Sequence, residues 1–240
     1  MEKKSLPDLG RYKAFLFDLD GTLVDSLGVW MEAYSEYLRR HGKVPCSPAD
    51  LHAEIGGFFA KADGAVNMNE VHMAHLNEAY GIKGLSGAES LAQRDAILAE
   101  LYMDVRFGVG VAEFLRHWQG VGRKMALVTL SPRFVIDICS NKNPHMMSEV
   151  ILNDVFGEFV FSSDDGFRKK PHPDGFLLAA KRLGIEPGEC LVFEDAIYGV
   201  RSGVAAGMDV CVIRERHSAG QRTEIDAQAT YIIDSFVDIL

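Results

Sequence analysis

The chain has 240 residues, 48% of them apolar, and a formal net charge of −9 at pH 7. That length supports one large core, or one core with a smaller satellite domain. Lys and Arg are scattered, with only short runs such as Arg39-Arg40 and Arg168-Lys169-Lys170, which excludes the basic stripe that a nucleic-acid partner needs. No run of about 18 uncharged apolar residues occurs, so no membrane span is expected. The start, Met1 to Arg11, has lysines but no apolar stretch of signal-peptide length, and a cytoplasmic setting follows as the expectation. Cys46, Cys139, Cys190 and Cys211 stand too far apart for a zinc or redox pair and read as reduced, partly buried thiols. An anionic substrate would need local positive charge or a metal.

Taken in chain order, the first element is an apolar run, Tyr12 to Phe17, that leads into Asp18, Leu19, Asp20 and Gly21. From Leu27 to about Arg106 the pattern turns helical. Leu27, Trp30, Tyr34, Leu38 and His41 mark one helix face, and Ala88 to Val105 predicts another helix, with a Gly-rich, Met-rich and His-containing middle between them. No strand is expected there. From residue 107 onward, helical patterns at Val111 to Trp118, Pro132 to Cys139, Pro173 to Leu183 and Ile197 to Ala206 alternate with apolar runs at Lys124 to Leu130, Glu158 to Phe161, Cys190 to Phe193, Asp209 to Ile213 and Thr230 to Ile233. Gly184 and Gly207 stand where helix C-terminal caps belong. This is the signature of an α/β fold with a parallel sheet and crossover helices. The predicted core is discontinuous, 1–25 plus 107–240, with a helical insertion over 26–106.

Asp18 and Asp20 lie one residue apart at the end of the first strand, where side-chain alternation predicts that both point the same way while Leu19 packs. A turn or helix cap would explain an isolated Asp-Gly pair. A calcium loop fails, because Leu23 and Val29 occupy the positions of its glycine and its bidentate glutamate. Other polar residues also fall at element ends: Thr129, Glu194, Asp195, and Lys170 before a helix. Ligands of open α/β sheets bind outside the carboxyl ends of the strands, so these positions are expected to converge. Four acidic groups around one site call for a cation, and oxygen ligands suit Mg²⁺, which commonly bridges to a phosphate. An aspartate can attack phosphorus to form an acyl phosphate, and a second carboxyl can move the protons.

The motifs "DLDGTLVDS" at Asp18 to Ser26, "LVTLS" at Leu127 to Ser131, "KPHPDGF" at Lys170 to Phe176 and "FEDAIYGVRSGVAAGM" at Phe193 to Met208 resemble those of the haloacid dehalogenase superfamily, in order and at its spacing. Within it, the resemblance is to the branch holding phosphoglycolate phosphatases and β-phosphoglucomutases. It implies a Rossmann-like, doubly wound core with a helical C1 cap inserted after the first strand. It further implies Asp18 as nucleophile, Asp20 as general acid/base, and Thr129 and Lys170 as phosphate grips. Asp195 is implied as a Mg²⁺ ligand together with Asp18, with Glu194 helping directly or through water and Asp20 offering its backbone carbonyl. Leu130 departs from the small polar residue frequent after the motif threonine, so phosphate contact there falls to backbone N–H or to Ser131. Lys169 stands where glycine is usual.

Dehalogenases and phosphonatases lack the second aspartate, and mutases resemble one another in a histidine twelve residues after the nucleophile, where this chain has Trp30. The expected function is a Mg²⁺-dependent phosphatase of a small phosphorylated metabolite, phosphoglycolate or a sugar phosphate, acting as a monomer or weak homodimer without nucleic-acid or membrane partners. A phosphosugar mutase and a noncatalytic phosphate-binding protein stay as alternatives. His72 and His75, at i and i+3, lack a third ligand and read as a solvated or satisfied helix face, while Met68, Met73, Phe58 and Phe59 are expected to pack the insertion's core.

Overall fold

The computed structural model describes residues 6–61, 68–214 and 222–240. The chain divides into two compact units, one of Met1–Ser26 with Met103–Leu240 and one of Leu27–Tyr102. None of the described helices is long and apolar enough to cross a membrane.

The first unit is built on six parallel strands: β1 (Ala14–Phe17), β2 (Lys124–Val128), β3 (Val160–Phe161), β4 (Cys190–Glu194), β5 (Asp209–Ile213) and β6 (Tyr231–Ile233). Their spatial order is β3-β2-β1-β4-β5-β6. Ala14 aligns with Lys124 on one side and Cys190 on the other, so the first strand of the chain is central in the sheet. All four β1 residues are buried, which is why this strand reads as a continuous apolar run rather than an alternating one. The chain winds outward from β1 to β3, then returns to the other side of β1. The direction of winding therefore reverses between β1 and β4, and the carboxyl ends of those strands flank the switch point.

Strand alternation sorts the two faces. Phe15, Phe17 and Phe193 point to one side, where Phe17 stacks on Phe193 with centroids 5.0 Å apart and planes 7° apart. Phe114, from helix α5 (Val111–Gly120), fills the centre of this cluster against Phe15, Phe17, Phe193 and Phe236. Leu16, Val128, Val192 and Val210 face the other side, against Phe176 of α9 (Asp174–Leu183) and Val200 of α10 (Ile197–Ala205).

Several boundaries differ from expectation. β2 stops at Val128 and β3 shrinks to two residues, and between α6 (Arg133–Asn141) and β3 stand two unforeseen short helices, α7 (Pro144–Glu149) and α8 (Leu152–Phe156). Each is shorter than two helical turns and leaves no periodic pattern. α7 starts where the buried Asn143 side chain accepts from the N–H groups of His145 and Met146. The short α11 (Arg222–Gln228) was likewise not foreseen.

The second unit is helical: α1 (Leu27–Arg40), α2 (Pro48–Lys61), α3 (Met68–Tyr80) and α4 (Gly87–Tyr102), with no strand among its described residues. The Gly- and Met-rich middle forms α2 and α3. Tyr34, Leu38, Met73, Leu76 and Leu98 are buried in its core, Met68 and Phe58 are half-buried, and the Phe59 side chain lies outside the described residues. Asn77 cross-links three helices, accepting from Tyr37 Oη at 2.7 Å and donating to Ser90 Oγ at 2.7 Å. His72 is not a solvated residue. It is fully buried, with Tyr34 and Phe58 rings at 5.4 and 4.9 Å, and burial above all lowers its pKa to about 4, aided by Arg94 and His75.

Phe114→Ala leaves a cavity at the centre of the aromatic cluster. It should cost about 3–5 kcal/mol in urea unfolding, whereas Val121→Ser at an exposed helix end should stay within about 0.5 kcal/mol.

Candidate active site

β1 ends at Phe17, but the ladder continues for one bond as Asp18 N donates to Phe193 O at 3.0 Å. The backbone then turns. Leu23 N and Val24 N both donate to Leu19 O, Gly21 N donates to Val24 O, and Gly21 takes a φ of 81° that favours glycine. Asp18 therefore stands at the last ladder position and Asp20 at the entry to a compact turn. Leu19 is fully buried beneath that turn, as anticipated.

Lys170 reaches back from the loop before α9. Its Nζ donates to Asp18 Oδ1 at 2.5 Å and to Glu194 Oε1 at 2.6 Å, and it lies 5.1 Å from the centre of the Phe176 ring. Glu194 ends β4 with no solvent exposure, and its Oε2 accepts from the N–H groups of Asp195 and Ala196 at 3.1 and 3.3 Å. Asp195 is buried beside it and accepts from Thr22 Oγ1 at 3.2 Å. Asp18, Glu194 and Asp195 each offer a carboxylate oxygen within 4.8 Å of the others.

Asp20 is half-buried and its carboxylate is not part of that triad. One oxygen accepts from Ser26 Oγ at 2.5 Å, and the other accepts a very short bond from Ser131 Oγ. Thr129, buried at the end of β2, accepts from Ser131 N at 3.0 Å, so Thr129, Leu130 and Ser131 form one small turn beside Asp20. Leu130 contributes backbone there and a half-buried side chain. The second Asp20 partner, Ser26, and the Asp195 partner, Thr22, were not singled out from the sequence. Both lie inside the first motif, and only the fold shows what their hydroxyls touch. Tyr198, in the first turn of α10, was missed as well.

The charges explain one another. In this metal-free arrangement burial pushes the Asp18 carboxyl up to about 8; Lys170 opposes the rise, while Glu194 and Asp20 add to it. Asp195 is raised by burial, then by Glu194 and Asp18, against the pull of Lys170 and the Thr22 hydroxyl. Burial works against the Lys170 ammonium, but Asp18 and Glu194 outweigh it and its pKa is raised, so it stays charged. Desolvation of its hydroxyl, then the carboxylates of Asp195, Asp18, Glu194 and Asp20, raise the Tyr198 phenol, although the residue as a whole is 45% exposed. One cation among four carboxylates leaves an excess of negative charge, and the donors are all hard oxygens. The set fits a divalent cation.

Comparison with known proteins agrees with this chemistry. Residues 12–207 match the family model of the haloacid dehalogenase-like hydrolases, and the chain belongs to that family. It is 32% identical over 228 residues to hexitol phosphatase A of Escherichia coli, covering 90% of this chain and 89% of that one. It is 27% identical over 204 residues to the fructose-1-phosphate phosphatase YqaB of the same organism, covering 85% and 97%. Among solved structures, a HAD family hydrolase from Deinococcus radiodurans with bound phosphate and sodium superposes with a TM-score of 0.65 at 26% identity, covering 95% of this chain and 93% of that one.

Because the Asp18 pKa is raised in the folded, metal-free protein, the folded state holds a proton that the unfolded chain releases near pH 4. Stability from this group is complete below that pH and is lost as pH rises toward about 8. In EDTA the melting temperature should fall between pH 5 and pH 8. Asp18→Asn, which cannot titrate, should flatten that slope; an unchanged slope would show that Asp18 is not its source.

Proposed function

We propose that this protein is a Mg²⁺-dependent phosphatase of small sugar phosphates that works through an aspartyl phosphate on Asp18. The observation that carries the reading is the buried Asp18 carboxylate held at 2.5 Å from Lys170 within the acidic triad. A nucleophile so placed has one oxygen fixed by the ammonium and the other left to approach phosphorus. Its relatives' names include phosphatases acting on a hexitol phosphate and on fructose 1-phosphate, which favours phosphorylated hexitols and hexoses over phosphoglycolate.

In the first step Asp18 forms an O–P bond to the phosphoryl group as the ester O–P bond breaks, and Asp20 gives its proton to the departing alkoxide. In the second, Asp20 takes a proton from the water that attacks the aspartyl phosphate, releasing inorganic phosphate and restoring Asp18. The Ser26 and Ser131 hydroxyls steer the Asp20 carboxylate, and as rotors they can follow its change of protonation. Lys170 and the Thr129–Ser131 turn grip the phosphoryl oxygens. Asp18, Asp195 and the Asp20 backbone carbonyl would hold Mg²⁺, with Glu194 beside them. The ion supplies neutralisation of the crowded carboxylates and of the phosphoryl charge.

The mutase alternative has less support. Trp30 replaces the mutase histidine and its indole N–H donates to the Tyr102 hydroxyl at 3.0 Å, so it offers no exchangeable base. A noncatalytic binder would have no use for the Asp20 acid/base beside the nucleophile.

With MgCl₂, hydrolysis should favour hexitol and hexose monophosphates over phosphoglycolate, and Asp18→Asn should lose at least about 10³-fold in kcat with the fold retained. Asp20→Asn should lose about 10²–10⁴-fold in steady-state turnover of p-nitrophenyl phosphate. It should still release a first-turnover burst of p-nitrophenolate, because that leaving group needs no proton. An Asp18→Asn protein with parental kcat would refute the proposal.

A further inference from the structure

We infer that Gly199 is a positioning residue of the catalytic centre, and that the space left by its missing side chain is what allows the Glu194 carboxylate to curl back onto Lys170. Gly199 is buried in the first turn of α10, and its φ lies in the region open to any residue. Its N–H donates to Ala196 O as an ordinary helical group. Backbone conformation therefore does not call for glycine here, and helix propensity disfavours it relative to alanine.

What calls for it is the neighbour. A Cβ built at residue 199 would fall inside the Glu194 carboxyl group, with Oε1, Cδ and Oε2 as its three nearest atoms. The other buried glycine of this helix, Gly203, instead faces the Val210 and Val192 side chains, which is ordinary close packing against β5 and β4. Of these two glycines, only Gly199 makes room for a charged group.

The Glu194 side chain leaves the end of β4 and folds over the start of α10 to accept from Asp195 N and Ala196 N while meeting Lys170 at 2.6 Å. A methyl group at 199 forces that carboxylate elsewhere. Lys170 would keep only Asp18, and the 4.8 Å acidic triad would lose one corner. Gly199 thus acts through Glu194, and its bearing on turnover rests on the phosphatase reading above.

The test is a double-mutant cycle on the full chain: Gly199→Ala, Glu194→Ala and the pair. Three quantities are read: the melting temperature in EDTA, Mg²⁺ affinity by calorimetry without substrate, and kcat and KM for p-nitrophenyl phosphate. Gly199→Ala alone should lower the melting temperature, weaken Mg²⁺ binding at least tenfold and reduce kcat at least tenfold, and Glu194→Asp should recover part of that kcat by shortening the side chain. In the Glu194→Ala background the same Gly199→Ala change should leave Mg²⁺ binding unaltered and raise the melting temperature, because alanine is there simply the better helix residue.

Equal losses in both backgrounds, or no loss in the parent, would overturn the inference. If Gly199→Ala alone does not fold, a folded double variant supports the inference and an unfolded one overturns it. A parent that hydrolyses no phosphate ester would defeat the proposed activity, while the melting and Mg²⁺ measurements would still judge Gly199.

Discussion

One ammonium group organises this centre. Lys170, buried and charged, is shared by Asp18 and Glu194 at 2.5 and 2.6 Å, and each of its partners ends one of the two strands that flank the switch in sheet winding. Burying a lone carboxylate or a lone ammonium is costly, and Lys170 keeps its charge because Asp18 and Glu194 outweigh its burial. The arrangement remains unbalanced, with more carboxylates than cations, and that imbalance makes it receptive to a metal and to the phosphoryl group that accompanies it.

The rest of the core serves that placement. β1 and β4 run side by side because their residues are apolar on both faces, with Phe17 stacked on Phe193 below the site and Leu16 and Val192 packed on the opposite face. Directly above Phe17 and Phe193 come Asp18 and Glu194. The transition from buried apolar strand to buried charge takes a single residue in each strand, and the backbone bond from Asp18 N to Phe193 O fixes the two ends against each other. Rigid packing beneath thus becomes preorganisation above, which is how electrostatic catalysis avoids reorganising its groups during reaction.

Much of this was legible in the sequence, for identifiable reasons. β5 and the carboxylates at strand ends could be read because a parallel core produces long apolar runs with abrupt polar stops. The convergence of Lys170 on the acids was readable from its place before a helix and after the strand pattern. What escaped had no periodic signature: α7 and α8 are too short, and α2 and α3 hide in a segment whose composition suggested only glycine and methionine. Ser26 and Thr22 could not be assigned because a hydroxyl next to a motif says nothing about which carboxylate it will reach. Gly199 was invisible for a related reason: its importance lies in empty space.

The most direct measurement is chemical trapping of the intermediate. Asp20→Asn protein, mixed with ³²P-labelled p-nitrophenyl phosphate and MgCl₂ and quenched in acid within one turnover, should carry acid-stable, base-labile label on the peptide that contains Asp18. Label on any other residue, or turnover by the parent enzyme with no labelled protein formed by this variant, would contradict the aspartyl-phosphate account.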